Sequence, residues 1–201
     1  MIRNIIIDIG QVLANFRWKE YIRDLGYNED MNQRIAKATV LSPYWNEVDR
    51  GAISMEEIME GCISLDKEIE KEIRHFFEDR REIVREYDYS EELVHTLKKN
   101  GYNVYLLSNY GEENFSYVKD VFRFLPLVDG GIISYEVKKI KPEPEIYQAL
   151  IEKYQINPNE SVFLDDLEKN LEAAKIFGFH TILFQTLDGA KSELRELGVN
   201  I

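Results

Sequence analysis

Four polar signals in this sequence stand where an apolar run has just ended. Asp8 closes the run Ile5-Ile6-Ile7, Ser108-Asn109 follow Asn103 to Leu107, Lys141-Pro142 follow the strand and turn near Ser134, and Asp165-Asp166 follow Ser161 to Leu164. Short apolar runs of this kind, rich in β-branched residues at the N-terminus, read as strands buried on both faces of a parallel sheet. Ligands of open parallel sheets bind at the carboxyl ends of the strands. A carboxylate, a hydroxyl, an ammonium and a carboxylate pair gathered there are badly placed for packing and well placed to act on a ligand. Singly, each has a plain structural reading: Asp8 can form a turn with Gly10, Ser108 can cap a helix, Lys141 can be solvated, and Asp165-Asp166 can cap the helix beginning at Leu167. Together they predict one site centred on Asp8.

The elements that would position these groups follow from periodicity. From Ser90 onward helix and strand alternate: helices over 91–99, 111–122, 143–154 and 167–177, and strands over 103–107, 131–134, 161–164 and 180–184, with a short C-terminal helix. Asn100-Gly101 and Gly178 supply stops. This is a doubly wound, Rossmann-like α/β pattern to which the first strand belongs. Residues 14–86 read instead as an all-helical insertion, with Trp18, Tyr21, Ile22 and Leu25 on one helical face and a capping box at Ser54-Met55-Glu56-Glu57. Within it, residues 46–53 read as a polar turn, and Asp66 to Glu86 as a charged helix with Ile69, Ile73, Phe76 and Phe77 inward. The predicted organisation is therefore a core of residues 1–13 and 87–201 and a helical cap of residues 14–86.

Composition narrows the function. The chain has 201 residues, long enough for one sizeable core, and carries 37 acidic against 25 basic residues, a net charge of −12. That balance argues against a nucleic-acid surface, since phosphate backbones are held by clustered Lys and Arg. Any anionic substrate must be met by local positive charge, from a metal ion, a lysine or helix N-termini. No apolar run approaches the roughly 20 residues that span a bilayer, so the expectation is a cytoplasmic protein with no membrane partner. Cys62 is the only cysteine, which excludes an intrachain disulfide and suggests a buried helix residue.

Asp8-x-Gly-x-Val, Leu106-Leu107-Ser108-Asn109, Lys141-Pro142-Glu143-Pro144-Glu145-Ile146-Tyr147 and Phe163-Leu164-Asp165-Asp166, in this order, resemble the four motifs of the haloacid dehalogenase-like (HAD) hydrolase superfamily. The resemblance covers essentially the whole chain, because the helical block sits where that family inserts its cap. The subgroup similar to bacterial α-D-glucose-1-phosphate phosphatase matches further, through the cap turn Asp49-Arg50-Gly51-Ala52-Ile53-Ser54. The resemblance implies a Mg²⁺-dependent phosphatase of a small phosphorylated metabolite, a sugar phosphate being the expectation, working through an aspartyl-phosphate on Asp8. It implies metal ligation by Asp8, the Gly10 carbonyl and Asp166, with Asp165 as a direct or supporting partner, and phosphoryl contacts from Lys141, Ser108 and the N–H of Asn109.

One position departs from the pattern. Phosphatases of the superfamily usually carry an acid two residues after the nucleophile, and here that residue is Gly10, which cannot transfer a proton. The proton would then come from water, the substrate or a cap residue. Two other readings keep the same fold: a haloacid dehalogenase using Asp8, whose leaving halide needs no proton, and a catalytically silent binding module. Substrate choice is assigned to the cap, with Phe16, Trp18, Tyr44, Trp45, Glu47 and Arg50 as candidates and Asn15 and Arg17 within reach of a sugar hydroxyl or second anion. The oligomeric expectation is a monomer or homodimer.

Overall fold

The computed structural model describes residues 1–201. Strand β1 (Asn4–Ile7) is buried along its whole length, as an isoleucine run flanked by strands on both sides must be. The chain leaves it through a tight loop in which Ile9 O accepts the N–H groups of Leu13 and Ala14, and Gln11 takes a φ of 57°. Strand β2 (Ala14–Phe16) then opens the inserted segment. Its helices are α1 (Trp18–Asp24), α2 (Glu29–Ala38), α3 (Pro43–Arg50), α4 (Met55–Leu65) and α5 (Glu70–Glu78), and β3 (Val84–Glu86) closes it.

Residues 14–86 are thus not helical throughout. The two ends pair as an antiparallel ribbon, with Phe16 opposite Val84 and Ala14 opposite Glu86. Chain leaving and re-entering the sheet side by side satisfies its backbone groups by pairing, which two helix ends could not do. Two further corrections fall inside the segment. The expected turn over 46–53 is largely the end of α3, which starts with Pro43 at its first position and stops at Gly51 in the left-handed region (φ 61°). The expected helix from Asp66 to Glu86 is regular only over α5, with single 3-10 turns before and after it. The Ser54–Glu57 capping box forms in both directions.

Apart from the short α8 (Ser134–Val137), which the sequence reading lacks, the remainder alternates as periodicity predicts: α6 (Ser90–Lys99), β4 (Asn103–Ser108), α7 (Glu112–Val121), β5 (Gly130–Ile133), then, after α8, α9 (Pro144–Tyr154), β6 (Ser161–Asp165), α10 (Glu168–Ile176), β7 (His180–Leu183) and α11 (Leu187–Glu196). The five long strands form one parallel sheet in the order β5-β4-β1-β6-β7. Successive side chains of β1 serve opposite faces. Ile5 and Ile7 join the core under α6, α7 and α11, which runs on without a break into the inserted helices through Ile22, Ile35, Ile58 and Phe76. Ile6 joins a smaller core with Phe163 and Leu107 under α9 and α10. The doubly wound Rossmann-like architecture read from the sequence is the one observed. No helix is long and apolar enough to cross a membrane.

Strands β4 and β5 approach closely at Gly131, where a Cβ would lie 2.5 Å from Leu106 O and 2.8 Å from Leu106 N. The obstacle is backbone, so Gly131→Ala should cost roughly 1–3 kcal/mol of stability, read as a lower denaturant midpoint at unchanged slope. A variant with native stability would mean that β5 can move away from β4 freely.

Candidate functional site

The sheet order places three of the motif ends side by side. Strands β4, β1 and β6 are neighbours, with Ile7 in register with both Leu106 and Leu164, so Ser108, Asp8 and Asp165 leave the sheet at one edge. Lys141 arrives from the turn before α9, and its main chain is held by Asn109: Lys141 N donates to Asn109 Oδ1 (2.7 Å) and Asn109 Nδ2 donates to Lys141 O (3.1 Å). The lysine is 2 % exposed. Its ammonium sits 2.9 Å from Asp8 Oδ1 and 2.6 Å from Asp165 Oδ2, with the Phe163 ring 5.4 Å away. Burial pulls the Lys141 pKa down, but the charges of Asp8 and Asp165 outweigh it and hold the ammonium above its ordinary value.

The two carboxylates beside the lysine are used differently. Asp165 is fully buried and its oxygens are taken, Oδ1 by Leu167 N and Asn170 Nδ2 and Oδ2 by Lys141 and Asn170 Nδ2. Asp8 spends only Oδ1, on Lys141 and on the N–H of Ile9 (2.8 Å). Its Oδ2 faces position 10, where a Cβ would stand 4.0 Å off. Burial raises the Asp8 pKa, and the Lys141 charge offsets part of that rise.

Around this pair stand buried polar atoms with no protein partner: Ser108 Oγ, Tyr110 Oη and Asn170 Oδ1. Ser108 lies close enough to Asp8 to favour its ionised form, without a well-formed hydrogen bond to it. Buried polar atoms left unpaired cost free energy, so a ring of them marks the place of a polar ligand. Asp8, Asp165 and Asp166 each bring a carboxylate oxygen within 4.8 Å of the others. A set of hard oxygen donors fits Mg²⁺ or a similar cation. Asp166 is the member with oxygens to spare: it lines the cavity while Asp165 does not. Burial, then the charges of Asp8 and Asp165, push the Asp166 pKa up to about 7.

The cavity over Asp8 measures about 320 Å³ and is walled by both parts of the chain. Asp8, Gly10, Asn109, Lys141 and Asp166 line it from the sheet edge, and Phe16, Trp45, Asn46, Val48 and Asp49 from the inserted segment. Phe16 and Trp45 stack at 5.8 Å between ring centroids. Of the eight substrate contacts expected from sequence, Phe16 and Trp45 reach the cavity, while Trp18, Tyr44, Glu47, Asn15, Arg17 and Arg50 do not line it. Arg17 is buried in the insertion, donating to Glu82 O (2.8 Å) and pairing with Asp24 (2.6 Å). Asn15 lies on β2 opposite Arg85 and is not a lining residue. Arg50 forms a two-pronged pair with Glu143 (2.7 and 2.9 Å), tying α3 to the turn before α9. Both arginines are paired with carboxylates of the protein itself.

The residue that sequence reading missed is Asp49. It lines the cavity, and neither carboxylate oxygen takes a hydrogen bond or ion pair from the protein. Burial and the charge of Asp8 push its pKa up to about 7 against the opposing pull of Lys141 and Arg80. The signal was present. Trp45, Val48 and Asp49 stand at i, i+3 and i+4, one face of a helix, and only the reading of 46–53 as a turn concealed it.

Comparison with known proteins bears on this geometry. The sequence profile of haloacid dehalogenase-like hydrolases matches residues 2–178. D-ribitol-5-phosphate phosphatase of Bacteroides thetaiotaomicron is 29 % identical over 208 residues, covering 94 % of this chain and 94 % of that one. A HAD-family enzyme of the same organism, crystallised in complex with magnesium and inorganic phosphate, superposes with a TM-score of 0.71 at 27 % identity, over 92 % of this chain and 95 % of the other. Mouse bifunctional epoxide hydrolase 2 is 35 % identical over 105 residues, half of this chain but only 19 % of that protein.

A cation that binds Asp166 must displace the proton this carboxyl holds up to about pH 7. Affinity for Mg²⁺ should therefore be level above about pH 7 and fall as the pH drops through it, with protons released on binding near about pH 6. Calorimetric titrations in two buffers of different ionisation enthalpy measure both quantities. An affinity unchanged across that range, with no proton release, would exclude Asp166 as a ligand.

Proposed function

The chain belongs to the haloacid dehalogenase-like hydrolase family, and on that premise we propose that it is a Mg²⁺-dependent phosphomonoester hydrolase acting on a small sugar or polyol phosphate. The observation that carries this reading is the state of Asp8. One oxygen is pinned to the Lys141 ammonium, and the other is free beside a cavity lined by Tyr110 and Asn170, whose buried Oη and Oδ1 have no partner. A relative and a structural neighbour of matching length, the one a named phosphatase and the other holding magnesium and phosphate, support it.

In this reading Asp8 Oδ2 attacks phosphorus and the bond to the leaving oxygen breaks, giving an aspartyl-phosphate that water then hydrolyses. Attack brings one anion onto another, and the Lys141 ammonium offsets that charge at the oxygen it already holds. The Ser108 hydroxyl finds its missing partner in a phosphoryl oxygen, as does the N–H of Asn109. Asp165 keeps Lys141 aimed rather than touching substrate. Asp8, the Gly10 carbonyl and Asp166 would hold Mg²⁺, whose chemistry would be to supply the positive charge still needed by the phosphoryl group. Asn170 Oδ1, unpaired at the cavity wall, would accept a hydrogen bond from water there.

Residues 14–86 act as the cap over a core of residues 1–13 and 87–201. Its aromatic pair Phe16–Trp45 offers a flat wall, and Asn46 with Gln11 and Asn114 offers amide groups for hydroxyls. Besides Lys141 the only cationic lining residue is Lys169, which suits one phosphate on a neutral polar body. Haloacid dehalogenation is the weaker reading, since it leaves the cation-binding carboxylates without work.

The test is phosphate release from a panel of sugar and polyol phosphates with Mg²⁺. Release should vanish in Asp8→Asn and on adding chelator, and be restored by returning the metal. Halide release from haloacids that survives chelation would establish the dehalogenase reading in its place.

A further inference from the structure

If the chain is a phosphatase, it lacks the usual proton-transfer group: position 10 is glycine, and no other carboxylate on the sheet edge is available. Asp165 is saturated by its partners, Asp166 is spent on the cation, and Asp8 is the nucleophile. Across the cavity stands Asp49. Its carboxylate is half-buried, unpaired and within electrostatic reach of Asp8 and Lys141.

The C-terminal end of α3, which carries Asp49, is held against the core from several directions. Ser134 Oγ donates to Asp49 O (2.5 Å), Lys138 Nζ donates to Gly51 O (2.5 Å), and Arg50 grips Glu143. Beneath it, a Cβ on Gly111 would meet Val48 O at 2.9 Å, so the glycine admits the end of α3 to this depth. Main chain on both sides of Asp49 is fixed while its side chain is left free. That is the arrangement of a group meant for a ligand rather than for packing.

We propose that Asp49 is the proton donor to the leaving oxygen and then the proton acceptor from water, taking the part that Gly10 cannot play. As Asp8 Oδ2 bonds to phosphorus, the phosphorus–oxygen bond of the ester breaks, and its electron pair stays on the leaving oxygen. That oxygen takes the Asp49 proton and departs as an alcohol. The Asp49 carboxylate next takes a proton from water as the water oxygen attacks the aspartyl-phosphate. The bond to Asp8 breaks, inorganic phosphate leaves, and Asp49 is protonated again. The groups facing it are Asp8, Lys141 and Arg80 by charge, with the Tyr110 hydroxyl nearby. A carboxyl titrating near neutrality among them is suited to both halves of the cycle.

The experiment compares native chain and Asp49→Asn, with Mg²⁺, on glycerol phosphate and on dinitrophenyl phosphate, whose phenolate leaves without a proton. For the variant, single-turnover cleavage of glycerol phosphate should fall about 100-fold or more. Dinitrophenyl phosphate should still give a burst of about one phenolate per chain, followed by slow turnover and a phosphoryl group accumulating on Asp8. That split is beyond a merely structural defect, and thermal unfolding of the variant checks the fold directly. Equal loss on both esters including the burst, or native rates on both, would overturn the assignment. A native chain inert toward both esters would overturn the phosphatase reading itself, and the assignment with it.

Discussion

The contact on which the rest depends is the buried ammonium of Lys141 between Asp8 and Asp165. Each of these ions would cost several kcal/mol to bury alone, and none could stay charged without the others. The price is met by geometry: three adjacent strands and one turn must end at the same height, and Asn109 must hold the lysine main chain at both its N–H and its C=O. One lysine against two carboxylates leaves the cluster negative, and Asp166 adds to it when ionised. The site is thus short of positive charge by about what a divalent cation brings, which is also what an acidic chain of −12 must provide before it can receive a phosphate.

A second consequence is the division of labour among the carboxylates. Asp165 and Asp166 are adjacent in sequence, yet one is fully enclosed and the other faces the cavity, because the chain is leaving β6 and successive side chains point to opposite sides. Asp165 fixes a neighbour and Asp166 remains available. Asn170, one turn into α10, serves both positions, donating to Asp165 while its own oxygen stays open.

The sheet and its edge were legible in the sequence because strand periodicity, glycine stops and polar residues at strand ends are local signals. Asp8, Ser108, Asn109, Lys141, Asp165, Asp166 and the backbone at Gly10 do converge at one edge. The cavity's outer wall was less legible, since it depends on how the insertion folds over the sheet. Arg17 and Arg50 looked like ligand groups, but their partners Asp24, Glu82 and Glu143 are fixed by tertiary packing. The ribbon of β2 with β3 joins residues some seventy positions apart, and three-residue strands carry too little pattern to be seen alone. Asp49 was hidden by a single misread element: a helix that ends in Asp-Arg-Gly looks like a turn when its first half is not recognised.

The ribbon has one further implication. Of the groups that would meet the organic part of a substrate, Phe16, Trp45 and Asn46 lie within the segment it closes and only Gln11 and Asn114 outside, whereas Asp8, Lys141, Asp165 and Asp166 all lie outside it. Mutation within that segment can therefore recontour the outer wall of the cavity without disturbing the charged cluster around Asp8. The end of α3 at Asp49–Gly51, docked on Ser134, Lys138 and Glu143, couples the two. New substrates are open to such a scaffold by drift within one segment, provided that the docking of α3 is left in place.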